Sequence, residues 1–154
     1  MPDRPNFNKR PHPVGRLEST RSVPRGRSGP GRDGYVELRC KSNFSFLCGA
    51  SHPEELVEQA VALGNSSIAL TDLHTLAGAV RMHCAAKASG IKLILGAEIH
   101  PVDAPPIILY APNRAAYGRL SRIITLGRLR AIKGECHVTL DDIAANHQGL
   151  IAAM

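Results

Sequence analysis

The sequence predicts an α/β protein built from βαβ units, with a disordered basic tail in front of it. From Tyr35 onward, short apolar runs alternate with stretches in which apolar residues recur at helical spacing, as in parallel α/β sheets. The preceding segment contains six of the eleven prolines and, as its one aromatic residue, Phe7. A chain of 154 residues has room for one domain with a core, so one domain plus a tail is expected.

Residues 1–34 form the predicted tail. They carry eight basic and three acidic residues, whereas residues 35–154 carry eleven and ten. The formal charge of +6 therefore belongs mainly to the tail and indicates no basic binding face on the domain. The tail has too few apolar side chains to offset its ordering entropy. It fits either an electrostatic arm for DNA or RNA or an extension without function, and the second is favoured because short basic tails are common and unspecific.

The cysteines and the apolar runs exclude several classes of protein. No Cys-x-x-Cys pair occurs, which argues against a zinc ribbon, and no apolar segment follows Met1 as in a secretory signal. No apolar run reaches the roughly 18 residues of a membrane span. We expect a cytoplasmic protein with reduced thiols and no membrane partner. The free cysteines would be Cys40, Cys48, Cys84 and Cys136.

The first predicted βα unit begins with a strand over Tyr35–Cys40. Ser51 and Glu54 have the spacing of a capping box, which predicts that a helix begins after Ser51. Gly64 is expected to end this helix. Its predicted apolar face comprises Leu56, Val57, Ala60 and Val61.

The second unit is a strand over Ser67–Leu70 followed by a helix from about Thr75 to Ser89, which Gly90 ends. Lys92–Ile99 is the third predicted strand. In the second helix, one face is expected to carry Leu76, Ala79, Val80 and His83.

The last part begins with a fourth strand over Ile107–Tyr110 and a helix capped by Asn113. Thr139 and Asp142 form a second capping box before a short helix, and Gly149–Ala153 resembles a fifth strand. A strand with no helix after it would leave one face of a parallel sheet uncovered, which suggests a truncated domain. The alternative is that this strand lies at an edge or is a loop.

Polar residues follow the first three predicted strands. Arg39-Cys40-Lys41, Asp72 and Glu98 would meet at the carboxyl ends of these strands, where sites form in parallel sheets. Two carboxylates with nearby histidines would suit a divalent metal. Arg39 and Lys41 oppose this, because cations offer no lone pair at neutral pH. We expect the guanidinium to pair with Asp72 or Glu98 instead, while Cys40 points into the core.

Each polar residue also has a plainer interpretation. Asp72 is suited to capping the helix that follows, and Glu98 to simple solvation. Ser42 and Ser45 have no adjacent general base, so the sequence does not support nucleophilic catalysis. Single histidines on half-apolar segments are more often structural than ligands, and this applies to His74, His83 and His100, while His52 is expected to be exposed.

Three ordered blocks of residues resemble a known family. The blocks are residues 37–56 (ELRCKSNFSFLCGASHPEEL), 69–78 (ALTDLHTLAG) and 92–98 (KLILGAE), and residues 117–125 (YGRLSRIIT) fit the same family. Together they resemble the N-terminal PHP domain of error-prone bacterial C-family DNA polymerases, which are similar to the DNA polymerase III alpha subunit. The resemblance implies that residues 35–154 are about the first half of a distorted parallel β/α barrel of seven strands.

The resemblance also implies an eroded metal site. Active members of the family carry His-x-His on the first strand, Asp-His after the second and Gly-x-Glu after the third. The matching positions here hold Arg39 and Lys41, then Asp72 and Leu73, then Glu98. Asp72 and Glu98 would be vestigial metal residues, and His74 is displaced by one position. No cofactor is expected, apart from a divalent metal (Mn, Zn or Mg) if the vestigial site still functions.

Three functions remain open at this stage. The leading one is a PHP fragment of an error-prone polymerase that acts in translesion DNA synthesis, inactive alone because the palm carboxylates of such enzymes lie beyond this sequence. The second is a stand-alone metal-dependent phosphoesterase, and the third a nucleic-acid accessory module that uses the basic arm. The expected partners are DNA or the remaining polymerase domains, and the sequence leaves the oligomeric state open.

Overall fold

The computed structural model describes residues 35–154, and the predicted disordered tail over residues 1–34 lies outside them. The described chain has an α/β fold with one four-stranded sheet in the order β1-β2-β3-β4. In chain order the elements are α1 (Pro53–Ala62), β1 (Ser67–Leu73), α2 (Ala79–Ser89), β2 (Lys92–Ile99), β3 (Ile107–Tyr110), α3 (Arg114–Arg130), α4 (Leu140–Asn146) and β4 (Ile151–Ala153).

The sheet is mixed rather than wholly parallel. β1 and β2 are parallel, as expected for strands that are connected through a helix. β3 pairs with β2 in the antiparallel direction, and β4 pairs antiparallel with β3. The predicted parallel arrangement of the first strands is therefore confirmed for β1 and β2, and the last two strands, whose direction the sequence left open, are antiparallel. A loop without a helix joins β2 to β3, and such a connection returns the chain antiparallel.

The predicted first strand is not a regular strand, although its backbone lies beside β1. One parallel bridge joins Glu37 to Ile68. The amide of Ala69 donates to the carbonyl oxygen of Glu37, and the amide of Thr71 to that of Cys40, both at 2.8 Å. The acceptors are three residues apart and the donors only two, so the segment carries one extra residue, as in a β-bulge. The bulge interrupts the ladder at Arg39.

All four helices pack on one face of the sheet and form two apolar clusters. α1 and α2 cover β1 and the first half of β2, with Val57, Leu70 and Met82 fully or almost fully buried. α3 and α4 cover β3 and the end of β2, and their cluster contains Leu109, Leu120, Ile123, Val138 and Ile143.

Two helix starts differ from the sequence prediction. α1 is capped at His52 rather than Ser51, and the amide of His52 donates to the Glu55 carboxylate at 2.8 Å. Pro53 takes the first helical position, which its fixed φ favours. α2 begins at Ala79 rather than Thr75, because residues before Gly78 form a turn. Its buried face is Ala79, Met82 and Ala86, whereas Val80 and His83 are exposed.

The later helix ends follow the prediction. The Asn113 side chain accepts the amide of Ala116, and Thr139 and Asp142 form the predicted reciprocal capping box. Gly90 adopts a left-handed conformation (φ 71°) at the end of α2. In residues 35–154, no helix combines the length and hydrophobicity that crossing a bilayer requires.

Candidate functional site

Glu98, near the end of β2, is the centre of a cluster of positive side chains. Its Oε2 accepts the Nε–H of Arg39 at 2.9 Å. Its Oε1 accepts a proton of the Lys41 Nζ at 3.0 Å and lies 2.7 Å from the Nε2 of His100. The Glu98 side chain is 1 % exposed, whereas Arg39 is 61 % exposed. The buried carboxylate of Glu98 therefore contacts three basic side chains, of which Arg39 and His100 are partly exposed to solvent.

These contacts control the protonation of Glu98. Burial by itself favours the neutral acid, but hydrogen bonds from Arg39, His100 and Lys41 outweigh it and lower the pKa of Glu98 to about 2. The same carboxylate raises the pKa of Arg39 above its ordinary value through the shared hydrogen bond. Glu98 is thus an anion at neutral pH, and both of its oxygens have basic partners. The sequence predicted that the Arg39 guanidinium pairs with Asp72 or Glu98. It pairs with Glu98, through its Nε alone.

Asp72 has a different set of partners, all from the loop that follows Lys41. Its Oδ1 accepts the amide of Ser42 at 2.7 Å and the hydroxyl of Ser45 at 2.6 Å, and its Oδ2 accepts the hydroxyl of Ser42 at 2.7 Å. All three residues are at most 1 % exposed. Asp72 therefore fixes the conformation of the loop, and it does not cap α2, whose N-cap is Gly78.

Gly49 shows how tightly this loop is closed. A Cβ at this position would lie 2.2 Å from the carbonyl oxygen of Ser42, a distance that no side chain can occupy. The amide of Gly49 donates to the carbonyl of Ser45, and Asn43 donates to the carbonyl of Ser51. Only glycine permits this close approach of two backbone segments.

The strand register separates the two carboxylates. Asp72 is paired with Ala97, and Leu73 with Glu98. Neighbouring residues of a strand point to opposite faces, so Asp72 points with Ala97 towards the helices and Glu98 points to the other face. The structure thus brings Arg39, Lys41 and Glu98 together, places Leu73 beside Glu98 in the register, and gives Asp72 a separate environment.

His74 lies next to the Glu98 cluster in an unusual conformation. Its backbone is left-handed (φ 52°), its amide donates to the carbonyl of Glu98, and its ring meets that of His100 edge to face with centroids 5.7 Å apart. Burial, and then the charges of His100 and Arg128, lower the pKa of His74 to about 4, so the ring is neutral at pH 7. Its buried Nδ1 has no hydrogen-bond partner in the structure.

A cleft of about 470 Å³ opens beside His74. Its apolar walls include Phe44, Phe46 and Leu73. The Arg128 guanidinium lines it too, but donates to the backbone carbonyls of His74, Gly134 and Glu135, so it holds two loops together. The other lining residues are Ser45, Gly134, Glu135, Cys136 and His137.

The remaining candidates have structural positions. Cys40 packs against the cluster of α1 and α2, as predicted, and burial raises the pKa of its thiol. His52 and His83 are exposed. Sequence reasoning missed the part played by Ser42 and Ser45, whose hydroxyls are fully engaged by Asp72. The sequence signal was two serines three residues apart that alternate with Phe44 and Phe46. This signal is weak unless the position of Asp72 is known.

Comparison with known families identifies this arrangement. The sequence pattern of the PHP domain matches residues 37–154, which is most of the chain. The chain belongs to the PHP domain family. The match includes every residue of the Glu98 and Asp72 clusters.

Relatives of this PHP domain are long proteins. It is 50% identical over 120 residues to the error-prone DNA polymerase of Rhodopirellula baltica, covering 78% of this chain and 10% of that protein. It is 56% identical over 100 residues to the error-prone DNA polymerase of Dechloromonas aromatica, covering 65% and 10%. The chain thus spans about a tenth of the length of the curated relatives it matches.

Two solved structures match part of the chain. A candidate metal-dependent phosphoesterase from Bifidobacterium adolescentis matches with a TM-score of 0.48 at 28% identity, over 73% of this chain and 43% of that one. An amidohydrolase from Chromobacterium violaceum, solved with sulfate and no metal, matches with a TM-score of 0.47 at 27% identity, over 62% and 34%.

The side chains of this PHP domain do not fit a divalent metal. Glu98 already accepts from three basic groups, and the Asp72 oxygens accept from a backbone amide and two hydroxyls. Across residues 35–154, no cluster of three or more His, Cys, Asp and Glu side chains has the arrangement of a metal site. A cation would have to displace Arg39 and Lys41 from Glu98, at the cost of bringing like charges together.

We therefore predict that the purified full chain binds almost no divalent metal. After incubation with Mn²⁺ or Zn²⁺ and gel filtration, it should retain less than about 0.1 equivalent of metal per chain, so that few molecules hold an ion tightly. Elemental analysis by mass spectrometry measures this. Near-stoichiometric metal that is lost in Glu98→Gln would contradict the prediction. The double variant Arg39→His, Lys41→His is the comparator: it removes both cations and adds two imidazoles, so it should retain more metal than the wild type.

Proposed function

We propose that this chain is the PHP segment of an error-prone DNA polymerase that acts in translesion synthesis during DNA repair in the cytoplasm, and that it serves this enzyme structurally. The observation that carries the proposal is the identity of 50% over 120 residues to a protein of that name. An identity of this size over most of the chain favours the same position in the same kind of protein. The partners would be the other polymerase domains and, through them, DNA.

The geometry supports a structural rather than a hydrolytic part. Glu98 joins the bulged first segment to β2 through Arg39 and Lys41, and Asp72 joins the following loop to β1. The Asp72 cluster thus connects segments that are about 30 residues apart in the chain, and the Glu98 cluster connects segments about 60 residues apart. These hydrogen bonds and ion pairs stabilise the rim of the sheet without a metal. A domain that serves as a rigid structural part of a larger enzyme needs such stabilisation.

The stand-alone phosphoesterase is the weaker alternative. It would require a bound metal to activate water, and the carboxylate best placed to hold one is neutralised by two cations. The accessory module that binds nucleic acid through residues 1–34 stays a prediction, because that segment lies outside the described residues. Loss of salt-sensitive DNA binding on deletion of residues 1–33 would support it.

A segment exchange tests the polymerase proposal. Residues 37–154 of this chain would replace the matching segment of the Rhodopirellula baltica enzyme, and primer extension would be measured. We expect the chimera to retain at least about a tenth of the wild-type rate, a change of under 1.4 kcal/mol in the barrier. The 154-residue chain alone should incorporate no nucleotide.

Deletion of the same segment from that enzyme is the control, and it should abolish soluble, active polymerase. A chimera that folds but is inactive would contradict the proposal. So would a deletion variant with full activity, because the segment would then have no part in the enzyme.

A further inference from the structure

A seam divides the helical layer between α2 and α3. α1 packs on α2 and α3 packs on α4, and each pair covers its own apolar cluster. The loop that joins β2 to β3 contains no helix, so no element lies between the two pairs. The seam is thus internal to the described fold, with a helix on each side of it.

A cleft of about 310 Å³ lies in this seam. Its lining is mainly apolar, and Val80 on its α2 wall is 71 % exposed. Ligand sites have volumes of about 300 to 1,000 Å³, so this cleft is suited to one or two inserted side chains. The lining residues are Ala79, Val80 and His83 on one side, Leu95 and Ala111 from the sheet, and Asn113, Arg114 and Tyr117 on the other side.

The two helices beside the cleft carry only positive charge. α2 contains two Lys or Arg residues and α3 contains five, and neither contains Asp or Glu. The outer helices are the opposite, with three acidic residues in α1, two in α4 and no basic residue in either. The near-neutral total charge of residues 35–154 therefore hides a basic centre of the helical layer between acidic flanks.

Several of these cations are free to bind a partner. Within residues 35–154, Lys87, Arg114 and Arg122 make no hydrogen bond or ion pair. Arg114 lines the cleft, and Lys87 lies one turn beyond His83 on the same face of α2. The other four cations are engaged: Arg81 with Glu54, Arg130 with Asp142, and Arg119 and Arg128 with backbone carbonyls. Unpaired positive charge therefore lies at both walls of an apolar cleft.

We propose that the cleft between α2 and α3 is a docking site for an acidic segment of a partner protein. The segment inserts one or two apolar side chains between the helices, and its carboxylates pair with Arg114 and Lys87. Burial of apolar surface supplies affinity, and complementary charge selects the partner. This proposal does not rest on the polymerase function.

Charge and shape favour this occupant over others. Two copies that met through this face would bring their unpaired cations together, which is repulsive. A DNA duplex would neutralise the cations, but its phosphates would leave the apolar cleft empty. Single-stranded bases stack on exposed aromatic rings, whereas Tyr117, the one aromatic residue that lines the cleft, is half-buried.

Fluorescence anisotropy tests the proposal with the full chain. The probe is a labelled peptide of about ten residues in which a leucine pair lies between runs of aspartate. The wild-type chain should bind it with a Kd no weaker than about 100 µM. Arg114→Glu should weaken binding at least about tenfold, because it reverses the charge beside the cleft. Glutamate is favourable in the first turn of a helix, so the variant should keep its fold, which circular dichroism verifies.

Lys133→Glu is the matched control. It makes the same charge reversal beyond the other end of α3 and should leave the affinity unchanged. An equal loss in both variants would overturn the proposal, because binding would then depend on total charge alone. Equal binding of a peptide with alanines in place of the leucines would overturn it as well, since the cleft would have no part.

Two further probes distinguish the occupants. Tighter binding of a single-stranded oligonucleotide, lost in Arg114→Glu, would show a nucleic-acid site and contradict the proposal. The chimeric polymerase should bind the peptide as the isolated chain does. If the isolated chain binds it and the folded chimera does not, other domains of the same enzyme cover the cleft and no partner protein docks there.

Discussion

Replacing Asp72 with alanine is expected to lower the free energy of unfolding by about 3 to 5 kcal/mol, the cost of breaking a buried ionic hydrogen-bond network. The variant would leave the amide of Ser42 and the hydroxyls of Ser42 and Ser45 without their acceptor in a site closed to water. It would also release the loop that Gly49 closes. Urea denaturation followed by circular dichroism gives the free energy.

Two further variants make this measurement specific. Asp72→Asn keeps the shape of the side chain but replaces one acceptor oxygen with a donor. It should lower the free energy of unfolding measurably, but by less than the alanine variant does. Asp141→Ala removes an exposed carboxylate in the first turn of α4 and should cost less than about 1 kcal/mol. A loss at Asp72 no larger than that at Asp141 would show that the serine network does not stabilise the fold.

Local chemistry made the helices after residue 110 predictable. The caps at Asn113 and Thr139 depend on side chains within three residues of the amides that they accept, so the sequence contains the whole interaction. The start of α1 was misplaced by one residue because Ser51 and His52 both precede an acidic residue at the right spacing. Only the observed Glu55 contact decides between them.

The sheet and the site depend on contacts that the sequence does not contain. The antiparallel direction of β3 follows from a loop whose path is set by packing. The bulge near Arg39 follows from hydrogen bonds to β1, whose donors are two residues apart while their acceptors are three apart. The sequence predicted that Arg39 would pair with a carboxylate but left Asp72 and Glu98 as equal choices. The register of β1 on β2 decides which carboxylate Arg39 contacts, since Asp72 and Glu98 point to opposite faces of the sheet.

Glu98→Gln is expected to lower the free energy of unfolding by about 2 kcal/mol at neutral pH. The substitution removes the anion that Arg39, Lys41 and His100 surround, and it leaves the charges of Arg39 and Lys41 next to one another. The loss should be smaller than at Asp72, because Arg39 and His100 are 61 % and 44 % exposed and water can solvate them.

The pH dependence of that loss distinguishes an ionic role of Glu98 from a purely steric one. The pKa of Glu98 is about 2 in the folded chain, below its ordinary value of 4.5. A lowered acid pKa stabilises the fold above the unfolded pKa, and this contribution fades as pH falls from about 4.5 towards 2. The difference between wild type and Glu98→Gln should therefore shrink over this range, whereas the exposed control Glu58→Gln should follow the wild-type profile. A constant difference from pH 7 to pH 3 would mean that packing, and not the charge of Glu98, holds this rim of the sheet together.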